Sequence, residues 1–206
     1  CTAVVTASVS QPAGPVVDNA SVQSNYNGRD ISCVGATDGL AVATGSGGTP
    51  ATQGAGYTFD WTPGNVANDS LDNIGVGTYT VVVTDSLGCT DTADVALAPP
   101  PALNLTLVNQ INVNCFGDAT GSVTAQVTGG TTTPSNGYTY QWDNSTTTAT
   151  NSNLPAGVEC VTVTDANGCI ATACATITQP SLPLKITNAS VIAEVWWNVD
   201  STGSAS

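Results

Sequence analysis

The chain has 206 residues, of which two are basic and 15 acidic, so its formal net charge is −13 at pH 7. Phosphate and anionic lipid headgroups are neutralised by clustered Lys and Arg, so this composition excludes a nucleic-acid-binding protein and argues against membrane association. The chain also has no His, the commonest general base, and no run of about 18 apolar residues for membrane insertion.

In chain order, the predicted elements are short strands separated by Gly- and Asn-rich turns, and they are clearest between residues 101 and 181. Alternation of apolar and polar residues, with turn residues between the alternating segments, predicts six strands there. They lie at 105–114, 122–128, 138–142, 146–151, 157–164 and 169–178. The last two form a hairpin around Asp-Ala-Asn-Gly. Six or seven short strands in about 80 residues predict an all-β, immunoglobulin-like (PKD-like) β-sandwich.

The same pattern occurs more than once, with a period of about 80 residues. Three motifs repeat, with 33–39 returning as 115–121, 57–61 as 138–142, and 81–89 as 161–169. Residues 13–100 and 101–181 are therefore predicted to be two whole modules. Residues 1–12 match 169–180 and are predicted to be the last strand of a preceding module. Residues 182–206 are predicted to start a following module.

The largest apolar side chains of the two modules are Trp61 and Trp142, which occupy equivalent positions on the third strand. We expect both to anchor the core of their sandwich, because aromatic rings bury the most apolar surface. Stacking against a sugar is the alternative role.

Seven cysteines in a strand-rich chain predict the disulfide framework of an exported protein. The favoured scheme is one bridge per module, Cys33–Cys89 and Cys115–Cys169, each closing a loop of about 55 residues and stabilising by about 3–4 kcal/mol. The competing scheme joins adjacent modules through Cys1–Cys33 and Cys89–Cys115 and leaves Cys169 without a partner. Spacing alone leaves both open.

Cys160 and Cys174 occur in the second module only. They are equidistant from the centre of the hairpin turn, and the inward alternation of Val161 and Val163 turns Cys160 outward. We therefore predict a cross-strand bridge between Cys160 and Cys174 on the surface. A metal site is the alternative, but four thiolates do not converge in this pattern.

The composite motif resembles the SprB repeat of giant cell-surface adhesins of gliding Bacteroidota. It comprises Cys-x-Gly-x-x-x-Gly, Gly-Gly, Tyr-Thr-Tyr-x-Trp, Val-Thr-Val-Thr-Asp-Ala-Asn-Gly-Cys and Ile-Thr-Gln-Pro. The resemblance implies export by the type IX system, a place on the outer surface, and repeats that supply much of the length of the molecule. Glu159 stands where Tyr79 provides the usual aromatic residue, and Trp197 replaces the opening Cys of the last module.

Four hydroxyl side chains lie in Asp-Ser/Thr sequences that resemble the O-glycosylation motif of this phylum. The candidate acceptors are Ser70, Ser86, Thr92 and Ser201. We favour Ser70 because we expect it in a polar loop.

Catalytic chemistry is not supported by the sequence. Without His a Ser–His–Asp arrangement cannot form, and the acidic pairs Asp91/Asp94 and Asp69/Asp72 are absent from the second module. We interpret them as solvated charge and predict no enzyme activity and no cofactor. A weakly held Ca²⁺ at module junctions is the alternative for the acidic loops.

The predicted function is therefore a stalk or filament segment of a large secreted adhesin on the bacterial cell surface. Its predicted partners are the neighbouring repeats of the same chain, with self-assembly into filaments as an extension. Two alternatives stay open: glycan- or surface-binding modules that use loops 49–56 and 131–137, and a non-catalytic spacer of a secreted enzyme.

Overall fold

The computed structural model describes residues 14–49, 56–135 and 137–186. Throughout these ranges every regular element is a β-strand, and the strands fall into two groups of six. The first module contains β1 (Val17–Val22), β2 (Gly39–Ser46), β3 (Thr58–Thr62), β4 (Ser70–Ile74), β5 (Gly77–Thr84) and β6 (Thr90–Leu97). The second contains β7 (Asn104–Ile111), β8 (Gly121–Thr128), β9 (Thr139–Trp142), β10 (Thr150–Leu154), β11 (Gly157–Thr164) and β12 (Ile170–Ile177).

Each module is a sandwich of two three-stranded antiparallel sheets. In the first module the sheet orders are β1-β2-β4 and β3-β5-β6, and in the second they are β7-β8-β10 and β9-β11-β12. The core of each module draws buried side chains from both of its sheets. The predicted fold class, all-β with tandem immunoglobulin-like sandwiches, is confirmed. The four predicted domain ranges stay predictions, and residues 1–12 and 187–206 lie outside the described residues.

The strands follow the alternation of apolar and polar residues. On β8, Val123 and Ala125 are buried and the residues between them are not, and on β11 Val161 and Val163 repeat this pattern. Successive side chains of a strand point to opposite faces, so each strand gives one face to the core.

Both tryptophans predicted to anchor the cores are buried. Trp61 is 0% exposed and Trp142 is 1% exposed. Each indole N–H donates a 2.9 Å hydrogen bond to a backbone carbonyl, that of Asn68 for Trp61 and that of Thr148 for Trp142. Burial with a satisfied N–H leaves neither ring face available to a sugar.

The fourth strand of the second module begins later than predicted, at Thr150 rather than at residue 146. A turn occupies the residues in between, since the backbone N–H of Trp142 donates to the carbonyl of Thr146. The buried Asn151 side chain also hydrogen-bonds Asn144 across this turn. These local bonds compete with strand pairing at residues 146–149.

Candidate functional site

Each module has two poles, and the first is the turn that joins its last two strands, here called the hairpin pole. In the first module Asp85 organises this turn. Its carboxylate accepts hydrogen bonds from the backbone N–H groups of Thr49, Leu87 and Cys89, at 2.8–2.9 Å. The bond from Thr49 contributes most and outweighs desolvation, so the pKa of Asp85 lies below its usual value.

Asp165 builds the same turn in the second module, where it accepts bonds from Thr131, Asn167 and Cys169. Gly130 completes the site. It has a φ of 63°, and a Cβ at this position would lie 2.8 Å from the Asp165 carboxylate. Glycine is therefore required at position 130 by this buried aspartate as well as by the left-handed backbone.

The opposite pole, here called the loop pole, is formed in the first module by residues 23–38 between β1 and β2. Within it, Asp38 accepts a bond from Ser32 N at 3.1 Å, and its backbone carbonyl accepts one from the Tyr26 hydroxyl at 2.9 Å. Burial raises the pKa of Asp38, but its hydrogen bonds, chiefly with Ser32, outweigh this and lower it overall. Asp30 ties the loop to the segment after β6 by accepting a 2.8 Å bond from Ala98 N.

A disulfide joins the loop pole of the first module to the hairpin pole of the second. Cys33 is bonded to Cys169, with the two Cα atoms 5.6 Å apart and a sequence separation of 136 residues. Both cysteines are half-buried. The bridge therefore links the two modules covalently, in addition to the linker that follows β6.

The side chain of Asn167 fits into the loop beside this bridge. Its amide donates to the carbonyl oxygens of Tyr26 at 3.0 Å and Ser32 at 3.3 Å, and it accepts a 2.6 Å bond from the amide of Asn27. Hydrogen bonds to backbone carbonyls depend on the position of the donor, so they orient one module on the next as well as holding it.

An open groove of about 350 Å³ runs along the junction. It is lined by Cys33, Val34, Pro101, Ala102, Leu103, Gly168, Cys169 and Ile170. Its walls come from three segments, namely the loop of one module, the linker, and the hairpin turn of the next.

The predicted pairing of Cys33 with Cys89 is wrong, because the two cysteines lie at opposite poles of the first module. The eight residues of β2 separate these poles, which corresponds to about 25 Å at the rise of a strand. Bonded cysteines need Cα atoms within about 7 Å. The same geometry separates Cys115 from Cys169, and the competing Cys1–Cys33 pairing is also wrong because Cys33 bonds Cys169.

The predicted bridge between Cys160 and Cys174 is present. The two residues are directly opposite in the register of β11 and β12, with Cα atoms 4.0 Å apart. Neither faces the core, as expected from the alternation with Val161 and Val163.

The candidate glycosylation sites fall in different environments. Ser70 is the half-buried first residue of β4 rather than part of a polar loop. Ser86 is exposed, but its hydroxyl donates a 2.7 Å bond to the carbonyl of Thr49. Thr92 is exposed on β6. Ser201 lies outside the described residues, as does Trp197. Glycosylation at these sites stays a prediction.

The acidic residues Asp91 and Asp94 of the first module bind different partners. The Asp91 carboxylate accepts a bond from the backbone N–H of Asp18 at 2.9 Å, whereas that of Asp94 accepts one from the Thr80 hydroxyl at 2.6 Å. Within 14–49, 56–135 and 137–186, no three His, Cys, Asp or Glu side chains are grouped to hold a metal ion. The same ranges contain no helix long and apolar enough to cross a membrane.

Sequence reasoning missed the junction itself, including the role of Asn167. One signal was available. The two hairpin turns are otherwise closely similar, yet the first has Leu87 where the second has Asn167. A polar residue in place of an apolar one, in a turn that the two modules otherwise share, indicates a specific contact.

Comparison with known proteins identifies the repeat. The family model of the SprB repeat matches residues 25–66 and 107–147, which confirms the predicted SprB-repeat modules. No curated protein matches the chain.

Two solved structures are similar to the chain at low identity. The three N-terminal domains of the highly immunogenic outer capsid protein (Hoc) of bacteriophage RB49 match with 19% identity and a TM-score of 0.47, over 80% of this chain and 59% of that one. The S-layer protein SbsC matches with 18% identity and a TM-score of 0.37, over 82% of this chain and 29% of that one. The chain thus spans less than two thirds of either structure.

Proposed function

The chain contains two SprB repeats, and on that premise we propose that it is a stalk segment of a large secreted cell-surface adhesin of the gliding-motility type. In this role the modules supply length and stiffness rather than chemistry. The proposal includes no catalytic residue and no cofactor, and Ca²⁺ has at most a weak, accessory role.

The observation that carries the proposal is the covalent junction. Cys33 and Cys169 bond one module to the next, and Asn167 orients them. A stalk transmits force along its axis, and a bridge that spans the junction carries that force when the modules are pulled. A free linker would leave the junction dependent on weak contacts alone.

The proposed location at the cell surface is supported by the disulfides, since such bonds persist in oxidising compartments. Export by the type IX system and gliding motility rest on the resemblance of the repeat alone. The proposed partners are neighbouring repeats, with lateral assembly into filaments as an extension.

Single-molecule stretching from the two chain ends tests the mechanical role. With the bridge intact, the residues between Cys33 and Cys169 are shielded from extension, because force passes through the sulfur atoms. We expect the Cys33→Ser/Cys169→Ser variant to gain about 400 Å of contour length, from the 136-residue separation less the part still closed by Cys160–Cys174. Equal contour lengths for both proteins would contradict the proposal.

Labelling of intact source cells with an antibody against the chain tests the location. Surface labelling that is lost on mild protease treatment supports an adhesin stalk. If the peptides that flank this chain in its native polypeptide belong to a catalytic domain, the spacer of a secreted enzyme is favoured instead. If the chain binds on a glycan array, a ligand-binding module is favoured.

A further inference from the structure

Cys89 and Cys115 are the two cysteines of the described residues that carry no bridge, and both are exposed. The repeat makes Cys89 the equivalent of Cys169 and Cys115 the equivalent of Cys33. The unbridged pair therefore consists of one hairpin-pole cysteine and one loop-pole cysteine, the two kinds that are joined at the junction.

The surroundings of Cys115 reproduce part of the junction groove. A groove of about 330 Å³ is lined there by Asn114, Cys115, Phe116, Pro180, Leu182 and Leu184. The equivalent groove at the junction has a loop wall, a linker wall and the hairpin turn of the next module. The groove at Cys115 has the first two walls and lacks the third.

Large apolar side chains are exposed at both outer poles. At the loop pole of the second module, Phe116 is 46% exposed, Leu182 76% and Leu184 100%. At the hairpin pole of the first, Leu87 is 66% exposed and occupies the position of Asn167. Asn167 donates to backbone carbonyls of its partner loop. Leu87 presents an apolar side chain at the equivalent position, which suits an apolar loop pole such as that of the second module.

We propose that the junction bridge recurs along the array wherever the loop-pole cysteine is kept, so that the loop-pole cysteine of such a module bonds the hairpin-pole cysteine of the next. Cys115 then takes the hairpin turn of a following module, and Cys89 takes the loop of a preceding one. The occupant of both surfaces is a module of this same kind, and the inference rests on the proposed repeat array.

Each bridge forms by loss of two protons and two electrons from two thiols to a disulfide oxidant, which is reduced to a dithiol. Cys89 and Cys115 of one chain do not bond each other in this scheme, because they lie at the outer poles of their modules. The bonded Cys33 and Cys169 are half-buried, whereas their unbridged equivalents are exposed, as expected if a docked module provides the burial.

A second copy of the chain supplies both missing partners and is the probe. In one variant, Cys1→Ser/Cys89→Ser, Cys115 is the single cysteine outside the Cys33–Cys169 and Cys160–Cys174 bridges. The other, Cys1→Ser/Cys115→Ser, keeps Cys89. Equal amounts are mixed at high concentration in a glutathione redox buffer, and dimers are quantified by non-reducing mass spectrometry. Peptides that contain Cys33–Cys169 verify that each variant is folded.

We expect the mixed Cys115–Cys89 dimer to exceed each same-variant dimer at least tenfold, whereas random thiol oxidation gives a ratio of about two. Phe116→Asp in the first variant is expected to reduce the excess at least threefold. A random ratio, or no dimer while thiols are consumed by glutathione, would overturn the inference, as would Cys33–Cys89 peptides in the unaltered chain. None of these outcomes depends on cell-surface location, so failure of the adhesin proposal is detected separately.

Discussion

The two modules are built on the same frame, although the side chains on it differ at many positions. Both bury one Trp between their sheets, and both close their hairpin turn on an aspartate beside a Gly-Gly pair. The cross-strand pair Thr80–Asp94 of the first module is the disulfide Cys160–Cys174 in the second. The frame is thus set by residues that face the core or close a turn.

Two informative differences lie at the edge of the core. Tyr79 packs against the core of the first module, whereas its equivalent Glu159 has a buried, unpaired carboxylate oxygen. Asp18, on β1, pairs with Gly45, and the equivalent residue on β7 is Leu105. At each of these sites a single substitution gives one module the residue of the other.

The largest expected effect concerns the shared frame. Trp61→Ala and Trp142→Ala should each lower the free energy of unfolding of their own module by about 3–5 kcal/mol, because each removes a fully buried ring and leaves a cavity. Hydrogen exchange of β5 and β11 peptides would report the two modules separately. If only one of the two substitutions destabilised its own module, the two tryptophans would not be equivalent.

Exchanging the cross-strand pair should have the next largest effect. Cys160→Thr/Cys174→Asp gives the second module the pair of the first and removes a bridge across 14 residues, at a loss of about 3 kcal/mol. The measurement is again hydrogen exchange of β11 and β12. The reciprocal Thr80→Cys/Asp94→Cys is the matched control and should protect β5 and β6, and a loss there instead would contradict the equivalence of the two pairs.

The Cys160–Cys174 bridge could be predicted from the sequence because both cysteines lie on one hairpin. The turn centre fixes which residues are opposite, and the alternation fixes which face they share. Most strands could also be predicted, because the alternation that defines a strand involves only neighbouring residues. The prediction failed at residues 146–149, where side-chain hydrogen bonds between Asn144 and Asn151 support a turn that the spacing of apolar residues does not reveal.

The Cys33–Cys169 bridge could not be predicted because it depends on how one module is placed on the next. The repeat shows that loop and hairpin cysteines recur, but it does not show that they lie at opposite poles of a module. That separation follows from the direction of β2, whose eight residues run from one pole to the other. Knowing which pole a cysteine occupies requires the sheet topology, and the spacing of cysteines in the sequence does not reveal that topology.

A smaller effect, this time an increase in the free energy of unfolding, is expected when the second module receives the aromatic residue of the first. Glu159→Tyr should raise the free energy of unfolding by about 1–2 kcal/mol, because it removes an unpaired buried oxygen and buries part of a ring. Tyr79 donates a 3.1 Å bond to the carbonyl of Gly75, and the equivalent acceptor is that of Pro155. Urea denaturation measures the change, with Glu159→Phe to separate ring burial from the hydroxyl. A loss with both variants would show that the site cannot hold a ring.

The smallest expected effect, and the one with a pH signature, concerns Asp18. Both of its carboxylate oxygens are enclosed without a hydrogen-bond partner. Desolvation raises the pKa of Asp18 above its ordinary value of 3.8. The nearby backbone N–H of Asn19, which does not reach hydrogen-bond geometry, offsets part of this rise, and the charge of Asp91 adds a smaller increase. Asp91 remains ionised, because the bond from the Asp18 backbone N–H lowers the pKa of the Asp91 carboxyl.

A raised pKa means that the folded state holds this proton more tightly than the unfolded state does. The free energy of unfolding therefore falls as pH rises from 3.8 through the raised value, and Asp18 is most destabilising at neutral pH. Asp18→Leu, which introduces the residue of the second module, should stabilise the first by about 1 kcal/mol at pH 7 after allowance for solvent screening.

Urea denaturation at pH 7 and at pH 3 measures this difference, and the gain should shrink at pH 3, where the carboxyl is protonated in both states. Asp91→Asn is the matched control. It removes the repelling charge but keeps a side-chain oxygen for the Asp18 N–H, so it should recover only the smaller, electrostatic part of the gain. A gain from Asp18→Leu that is equal at both pH values would assign it to packing alone. Leu105 would then differ from Asp18 in shape rather than in charge.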